Sequence, residues 1–260
     1  MSDPTMADQF ATYPSLRDRR VLVTGGASGI GASIVRHFAE QGAHVGFLDL
    51  DEAAAAATLA GMPEGSTVRF AKVDLRDIPA LRLAIASLRD QLGGPFTVLV
   101  NNAARDDRHA IDDVTPEYWD DRMATNLRHQ FFCVQALKPD MIAAGGGSII
   151  NMSSNSFLLA SGGMPAYTAA KSAVIGLTRG LARDLGPHHI RANIVYPGWI
   201  ITQRQLDLWM TDEAEQKRVS GQCIPDRLYE PDVARMVLWL AADDSRMVTA
   251  REFVVDGGWF

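Results

Sequence analysis

The stretch Arg20-Val21-Leu22-Val23-Thr24-Gly25-Gly26-Ala27-Ser28-Gly29-Ile30-Gly31 decides how the rest of the chain is read. Arg20–Thr24 is a short apolar, β-branched run of the kind that forms a buried strand. It runs straight into a glycine turn, and from Gly29 to Gln41 the apolar residues recur at helical spacing. Strand, tight turn and helix in immediate succession form the opening half of a βαβ unit.

The same alternation continues outward. Strand-like runs recur at His44–Leu48, Val68–Val73, Thr97–Asn101, Ser148–Met152, Ala192–Tyr196 and Glu252–Val255. Between them, helical spacing is found at Glu52–Ala60, Ile78–Leu92, Pro116–Ala143, Pro165–Leu185 and Pro231–Ala241. Repeated βα alternation with right-handed crossovers predicts an α/β fold, a doubly wound parallel sheet with helices on both faces. No repeat or linker divides the 260 residues, so one domain over 16–260 is expected, preceded by a flexible tail over 1–15. Residues 202–227 interrupt the alternation and are long enough to form a substrate lid, or simply a surface helix.

Composition excludes several classes of function. The chain is 47% hydrophobic and 22% charged, which suits a globular protein with a sizeable core. A net charge of -6 offers no basic footprint for nucleic acid. No apolar run is long enough for a membrane span, and the first residues lack the pattern of a secretory signal, so the expected address is cytoplasmic. Cys133 and Cys223 belong to no metal-ligand pattern and are expected to be free, mostly buried thiols; the six histidines show no ligand spacing, so no metal is expected.

In doubly wound sheets ligands bind beyond the carboxyl ends of the strands, and the informative residues of this chain cluster there. Gly25, Ser28, Gly29, Ile30 and Gly31 form a G-x-x-x-G-x-G loop at a helix N-terminus. Missing Cβ atoms let the backbone approach a pyrophosphate, which the helix's positive end attracts. Asp49 ends the second strand, where a carboxylate can accept both ribose hydroxyls. It would repel a 2′-phosphate, and no Arg or Lys in the loop or in Leu50-Asp51 offsets that repulsion, so NAD is preferred to NADP. Asp74 follows the third strand and either faces the adenine or is a solvated loop carboxylate. Asn101-Asn102-Ala103-Ala104 closes the fourth strand, in position to brace sheet and nucleotide.

Tyr167 and Lys171 lie four apart within a helical stretch, so their side chains share a face. A free phenol, with a pKa of about 10, is a poor base at neutral pH; lowering it by about three units needs about 4 kcal/mol, which a nearby ammonium and a nicotinium help to supply. A Tyr-x-x-x-Lys pair alone is also compatible with an ordinary surface. Ser154 shifts that balance, because it follows the fifth strand at its carboxyl end, with Ser153 as the neighbouring alternative.

Taken together, T-G-x-x-x-G-x-G, N-N-A-A, S-x₁₂-Y-x-x-x-K and N-x-x-x-P-G-x-x-x-T resemble the short-chain dehydrogenase/reductase superfamily over roughly Arg20 to Trp259. The resemblance implies a seven-stranded Rossmann-type sheet and a tetramer. It also implies Tyr167 as acid/base, Lys171 on the ribose, Ser154 orienting substrate and Asn126 on a water-linked proton path. Pro197, the Ile200 backbone and the Thr202 hydroxyl would then grip the nicotinamide. Ala104 departs from the family's usual glycine, narrowing that side without removing a chemical group.

The segments Tyr13–Leu16, Asp106–His109, Asn126–His129, Thr202–Gln205 and Asp256–Trp259 resemble bacterial NAD-dependent xylose dehydrogenases and related aldose 1-dehydrogenases. That implies oxidation of a cyclic sugar's anomeric hydroxyl to a lactone. Asn155, Trp199, Gln203 and Arg204 have the polar and aromatic character a sugar site uses, while Met164 reads as wall and Arg108 and Arg128 as salt-bridge formers. The rival readings are a 3-oxoacyl-thioester or small-ketone reductase, which usually favours NADPH, and a module that senses NAD without turnover. Excess apolar residues in Pro116–Ala143 and Pro165–Leu185 suggest a second buried face and homo-oligomer packing.

Overall fold

The computed structural model describes residues 10–260. Seven strands form one parallel sheet: β1 (Arg20–Thr24), β2 (His44–Asp49), β3 (Val68–Lys72), β4 (Val98–Asn101), β5 (Gly147–Met152), β6 (Ile190–Pro197) and β7 (Glu252–Val255). Their spatial order is β3-β2-β1-β4-β5-β6-β7, every neighbouring pair being parallel. The order reverses between β1 and β4, so the crevice beyond their carboxyl ends is the switch point at which doubly wound sheets take ligands.

Successive strand residues point to opposite faces, and the two cores follow that period. Val21, Val23, Val45, Phe47, Val98 and Val100 bury against α1 (Gly29–Glu40) and α9 (Glu230–Ala241). Leu22, Leu48, Leu99, Ile149 and Ala192 bury on the other side, against α3 (Ile78–Gln91), α5 (His129–Ala143) and α6 (Pro165–Leu185). Strands covered on both faces have no polar side to show, which is why their sequences read as continuous apolar runs. The short helix α2 (Glu52–Ala60) adds Ala55 to the first core; Asp51 caps it by accepting from the Ala54 N–H at 2.9 Å.

The single helix expected over Pro116–Ala143 is interrupted. It consists of α4 (Pro116–Met123), a π-helical turn over Ala124–Arg128, and α5. Asn126 sits in that turn and competes for the backbone: its Nδ2 donates to the Arg122 carbonyl at 3.0 Å, while its Oδ1 accepts from the Arg105 N–H at 2.8 Å. The second contact ties the turn to the loop after β4, which local periodicity cannot foretell.

Of the tail expected over 1–15, residues 1–9 lie outside the described residues. Tyr13 donates its N–H to Gln41 Oε1 at 2.7 Å, and Leu16 is fully buried in the first core. Residues 202–227 contain two helices, α7 (Gln203–Leu208) and α8 (Asp212–Gly221). Arg218 is buried beneath them, donating to Glu215, Gln222 and the Pro225 and Asp226 carbonyls. Cys133 is buried as expected, but Cys223 is exposed, because it falls on the loop that follows α8 rather than on a core-facing element. No helix of the described residues is long and apolar enough to cross a membrane.

Candidate active site

A cavity of about 910 Å³ opens beyond the carboxyl ends of the strands, lined at one end by the glycine loop and at the other by Ser154, Tyr167 and Lys171. The glycine loop is shaped for close approach. Gly25 has φ +67°, and a Cβ there would lie 2.7 Å from the Ala103 Cα; Gly31 would drive a Cβ into the Gly25 carbonyl oxygen. Ser28 precedes α1 without capping it, so the first-turn N–H groups of Gly29, Ile30 and Gly31 remain available to an anion.

Asp49 does more than terminate β2. Its Oδ2 accepts from the Ala27 N–H at 2.9 Å, and its Oδ1 accepts from the Leu50 and Asp51 N–H groups at 2.7 and 3.2 Å. The carboxylate therefore pins the glycine loop, and Oδ2, with one partner, is the freer oxygen for a ribose hydroxyl.

Asp74 lines the cavity and pairs with Arg76, both side chains staying partly exposed. Arg76 hydrogen-bonds it and holds its pKa below the ordinary carboxylate value, against a weaker opposing effect of burial. Arg76 also pairs with Asp121 at 2.5 Å, so this cavity-lining arginine already faces two carboxylates.

Asn101, expected on the cofactor, is a correction. It is fully buried inside the sheet, donating to Asn151 Oδ1 at 2.8 Å, and is absent from the cavity wall. Asn102 takes the bracing role: its Nδ2 donates to the carbonyls of Thr24 and Gly25 at 3.1 and 2.9 Å, fixing the glycine loop from beneath. A strand-end side chain pointing into the sheet cannot reach a ligand above it, and its neighbour, pointing the other way, can.

At the reacting end α6 presents Tyr167 and Lys171 one turn apart. Burial raises the Tyr167 phenol above its ordinary value and the charge of Asp106 raises it further; the hydrogen bond with Ser154 and the charge of Arg108 act the other way. Burial pushes Lys171 down to about 8, against a smaller effect of Asp106. Its Nζ donates to the Met152 carbonyl at 2.9 Å, which aims the ammonium at the cavity floor. The two serines separate cleanly. Ser153 Oγ is committed as a donor to the Lys171 carbonyl at 2.7 Å, whereas the Ser154 hydroxyl accepts from the Ser156 N–H at 3.2 Å and keeps its own proton free in the cavity that Tyr167 also lines.

Asn126 is fully buried and held behind the cavity by Arg122 and Arg105; Thr125 is the member of its turn that reaches the wall. Pro197, Ile200 and Thr202 all line the cavity, and the Thr202 hydroxyl caps α7 by accepting from the Gln205 N–H at 3.3 Å, leaving its own proton free to donate. Asn155, Trp199, Gln203 and Arg204 also line it. Their partners differ. Asn155 donates to Asp256 at 3.3 Å, Gln203 to Asp207 along its own helix, and Arg204 to Asp106 and Asp107 across the cavity mouth.

Sequence reasoning assigned no role to Asp106, Gln205 or Trp259. Gln205 joins Trp199 to Asp106, and the Trp259 ring stacks on Trp199 at 6.4 Å between centroids. The Asp106-Asp107-Arg108 run was the available signal, but its pairing with α7 spans nearly a hundred residues.

A family profile described as enoyl-(acyl carrier protein) reductase matches residues 25–260. The chain is 46% identical over 250 residues to a Rhizobium meliloti protein named probable galactose dehydrogenase, covering 95% of this chain and 97% of that one. It is 44% identical over 252 residues to the D-xylose 1-dehydrogenase of Caulobacter vibrioides, with 96% and 98% covered. This chain belongs to the short-chain dehydrogenase/reductase family. Its backbone also superposes on a short-chain dehydrogenase/reductase mutant from Serratia marcescens with TM-score 0.87 at 32% identity, covering 94% of this chain and 99% of that one. Membership of this family implies a nicotinamide cofactor, and the glycine loop, where an added Cβ would meet backbone, leaves room for a close-lying pyrophosphate.

Proposed function

We propose that this dehydrogenase uses NAD to oxidise the anomeric hydroxyl of a cyclic aldose, of the pentose or the galactose/fucose type, to the lactone. The observation that carries the substrate class is the pair of relatives named for galactose and D-xylose, each matched along almost its whole length. Polar groups and stacked indoles beside Tyr167 suit a ring that offers hydroxyls on its edge and C–H bonds on its face. Preference for NAD over NADP is supported by Asp49 at the ribose end and by the engagement of Arg76 with Asp74 and Asp121, which leaves that cation little capacity for a 2′-phosphate.

The nicotinamide, when bound, supplies the acceptor for the hydride that leaves the sugar's anomeric carbon. Gly25, Gly29, Ile30, Gly31, Asp49 and Thr202 would hold the nucleotide, with Lys171 on its ribose. Ser154 orients the reacting hydroxyl, and Tyr167 as phenolate takes its proton while the carbon–oxygen bond becomes a carbonyl. Lys171 favours the phenolate by its charge, and Asn126 steadies the turn from which protons are exchanged with water.

Self-association through α4, α5 and α6, to a tetramer, is part of the same reading. It is supported by an apolar groove of Met123, Ala124, Leu127, Phe131, Phe132, Ala173 and Leu177, with Phe131 exposed. A cytoplasmic location fits the need for a nicotinamide pool.

Initial rates across D-xylose, L-arabinose, D-galactose and L-fucose, with NAD and with NADP, test the assignment through nicotinamide absorbance. Oxidation of at least one aldose, faster with NAD, is expected. Reduction of acyl thioesters or simple ketones with no aldose oxidised overturns the substrate class, and a binding isotherm for NAD with no turnover of any alcohol overturns the enzyme.

A further inference from the structure

Asp106 is a carboxylate whose charge acts on both Tyr167 and Lys171. It lines the cavity, and its side chain is only 22% exposed. Two residues of α7 hold it in place: Arg204 Nε donates to Oδ1 at 3.3 Å and Gln205 Nε2 donates to Oδ2 at 3.0 Å. Gln205 is itself fixed, its Oε1 accepting from Trp199 Nε1 at 2.9 Å. One donor on each oxygen leaves about half of the carboxylate's four acceptor sites free.

The neighbouring Asp107 shows what a purely structural carboxylate looks like in the same loop. It takes Arg122, Arg105 and Arg204 at 2.8, 2.9 and 3.0 Å, and is absent from the cavity wall. Asp106 stands differently: it lines the same cavity as the reacting tyrosine, where its charge opposes formation of the phenolate. A negative group so placed works against the base unless it serves the ligand.

We propose that Asp106, oriented by Arg204 and Gln205, accepts a hydrogen bond from a second sugar hydroxyl next to the one being oxidised, and so sets the enzyme's choice among polyhydroxy substrates. This rests on the aldose reading. A carboxylate suits the task because a sugar hydroxyl donates one proton per oxygen, and a charged acceptor rewards that proton more than a neutral one. A substrate lacking the hydroxyl would leave the Asp106 acceptor unpaired inside the site, which penalises simple alcohols and deoxy sugars alike.

The test is a cycle in kcat/KM between the best aldose and its singly deoxygenated analogues, with wild type, Asp106→Asn, Asp106→Ala and Gln205→Ala. In wild type, removing one particular hydroxyl is expected to lower kcat/KM about tenfold to a hundredfold. Asp106→Ala should lower it by a similar factor for the intact sugar and show no further loss with that analogue. Asp106→Asn, which retains an acceptor, should fall between. Gln205→Ala loosens α7 but keeps the carboxylate, so discrimination against the deoxy sugar should persist even where KM rises for every substrate.

NAD binding, followed by calorimetry, and the thermal midpoint report whether each variant is folded and loaded. Removing the charge should also move the limb of the pH profile that rises as Tyr167 deprotonates to lower pH, since Asp106, with Asp107 beside it, disfavours the phenolate while the positive charges of Arg105, Arg108, Arg122, Arg204 and Lys171 favour it. Should wild type oxidise aldoses while the losses in the cycle simply multiply for every analogue, Asp106 has no part in recognition and the inference is overturned alone. Should wild type oxidise no aldose, the functional reading and this inference fall together.

Discussion

Lys171 carries its Nζ 5.7 Å from the centre of the Tyr167 ring, one turn along the same helix, with the lysine buried and the tyrosine in the cavity wall. Burial acts on the two groups in opposite senses: it raises the phenol and lowers the ammonium, each toward its neutral form. At neutral pH Lys171, held to about 8, retains its charge, and an ammonium at this distance favours the phenolate, as the Arg108 charge does.

Replacing the base tests this most directly. Tyr167→Phe is expected to cut kcat by at least about 10²- to 10⁴-fold while leaving NAD affinity within a few-fold, as read by calorimetric titration. Turnover near the wild-type rate would show that another group takes the proton.

Lys171→Met removes the favourable charge, so the limb of kcat/KM that rises as Tyr167 deprotonates should move to higher pH. The sign is fixed by electrostatics, because an ammonium stabilises a phenolate. A full pH profile for both proteins checks it, and an unmoved limb would assign Lys171 to ribose binding alone.

Asp49→Ala should narrow the gap between NAD and NADP by about tenfold to a hundredfold, since it removes the repulsion of a 2′-phosphate and a charged acceptor for ribose. Absolute affinity for NAD should fall too, because the Ala27 N–H loses its partner and the glycine loop loosens. An unchanged ratio of kcat/KM for the two nucleotides would place the discrimination elsewhere.

Gly31→Ala pushes a methyl group into the Gly25 carbonyl and to 2.7 Å from Asn102 Nδ2. The loop must shift to relieve it, so a loss of about 1–3 kcal/mol in stability and a larger loss of NAD affinity are expected. Denaturant titration and calorimetry separate the two effects; tolerance of the methyl in both would contradict the tight loop.

His129 is buried with both ring nitrogens unpartnered, and burial, with the nearby Lys171 charge, holds it down to about 3. The unfolded chain then binds the proton first. The stabilisation is complete above roughly pH 6.5 and is lost progressively as pH falls toward about 3, amounting to about 2 kcal/mol by roughly pH 5. His129→Phe should flatten that part of the stability–pH curve, and identical acid-unfolding curves for the two proteins would refute the linkage.

The sequence by itself determined the strand and helix alternation, the glycine loop with Asp49 at the end of the next strand, and the common face of Tyr167 and Lys171. Each is written in short-range periodicity or in the steric freedom of a single residue, and such signals survive without knowledge of what packs against them. Tertiary structure alone decided which polar residue met which. It turned Asn101 into the sheet and Asn102 under the loop, gave Ser153 to the Lys171 carbonyl, opened a π turn at Asn126, and brought Asp106 to Arg204 and Gln205. These are directional hydrogen bonds, several of them between residues far apart in the chain, and their geometry exists only once the sheet has set the distances.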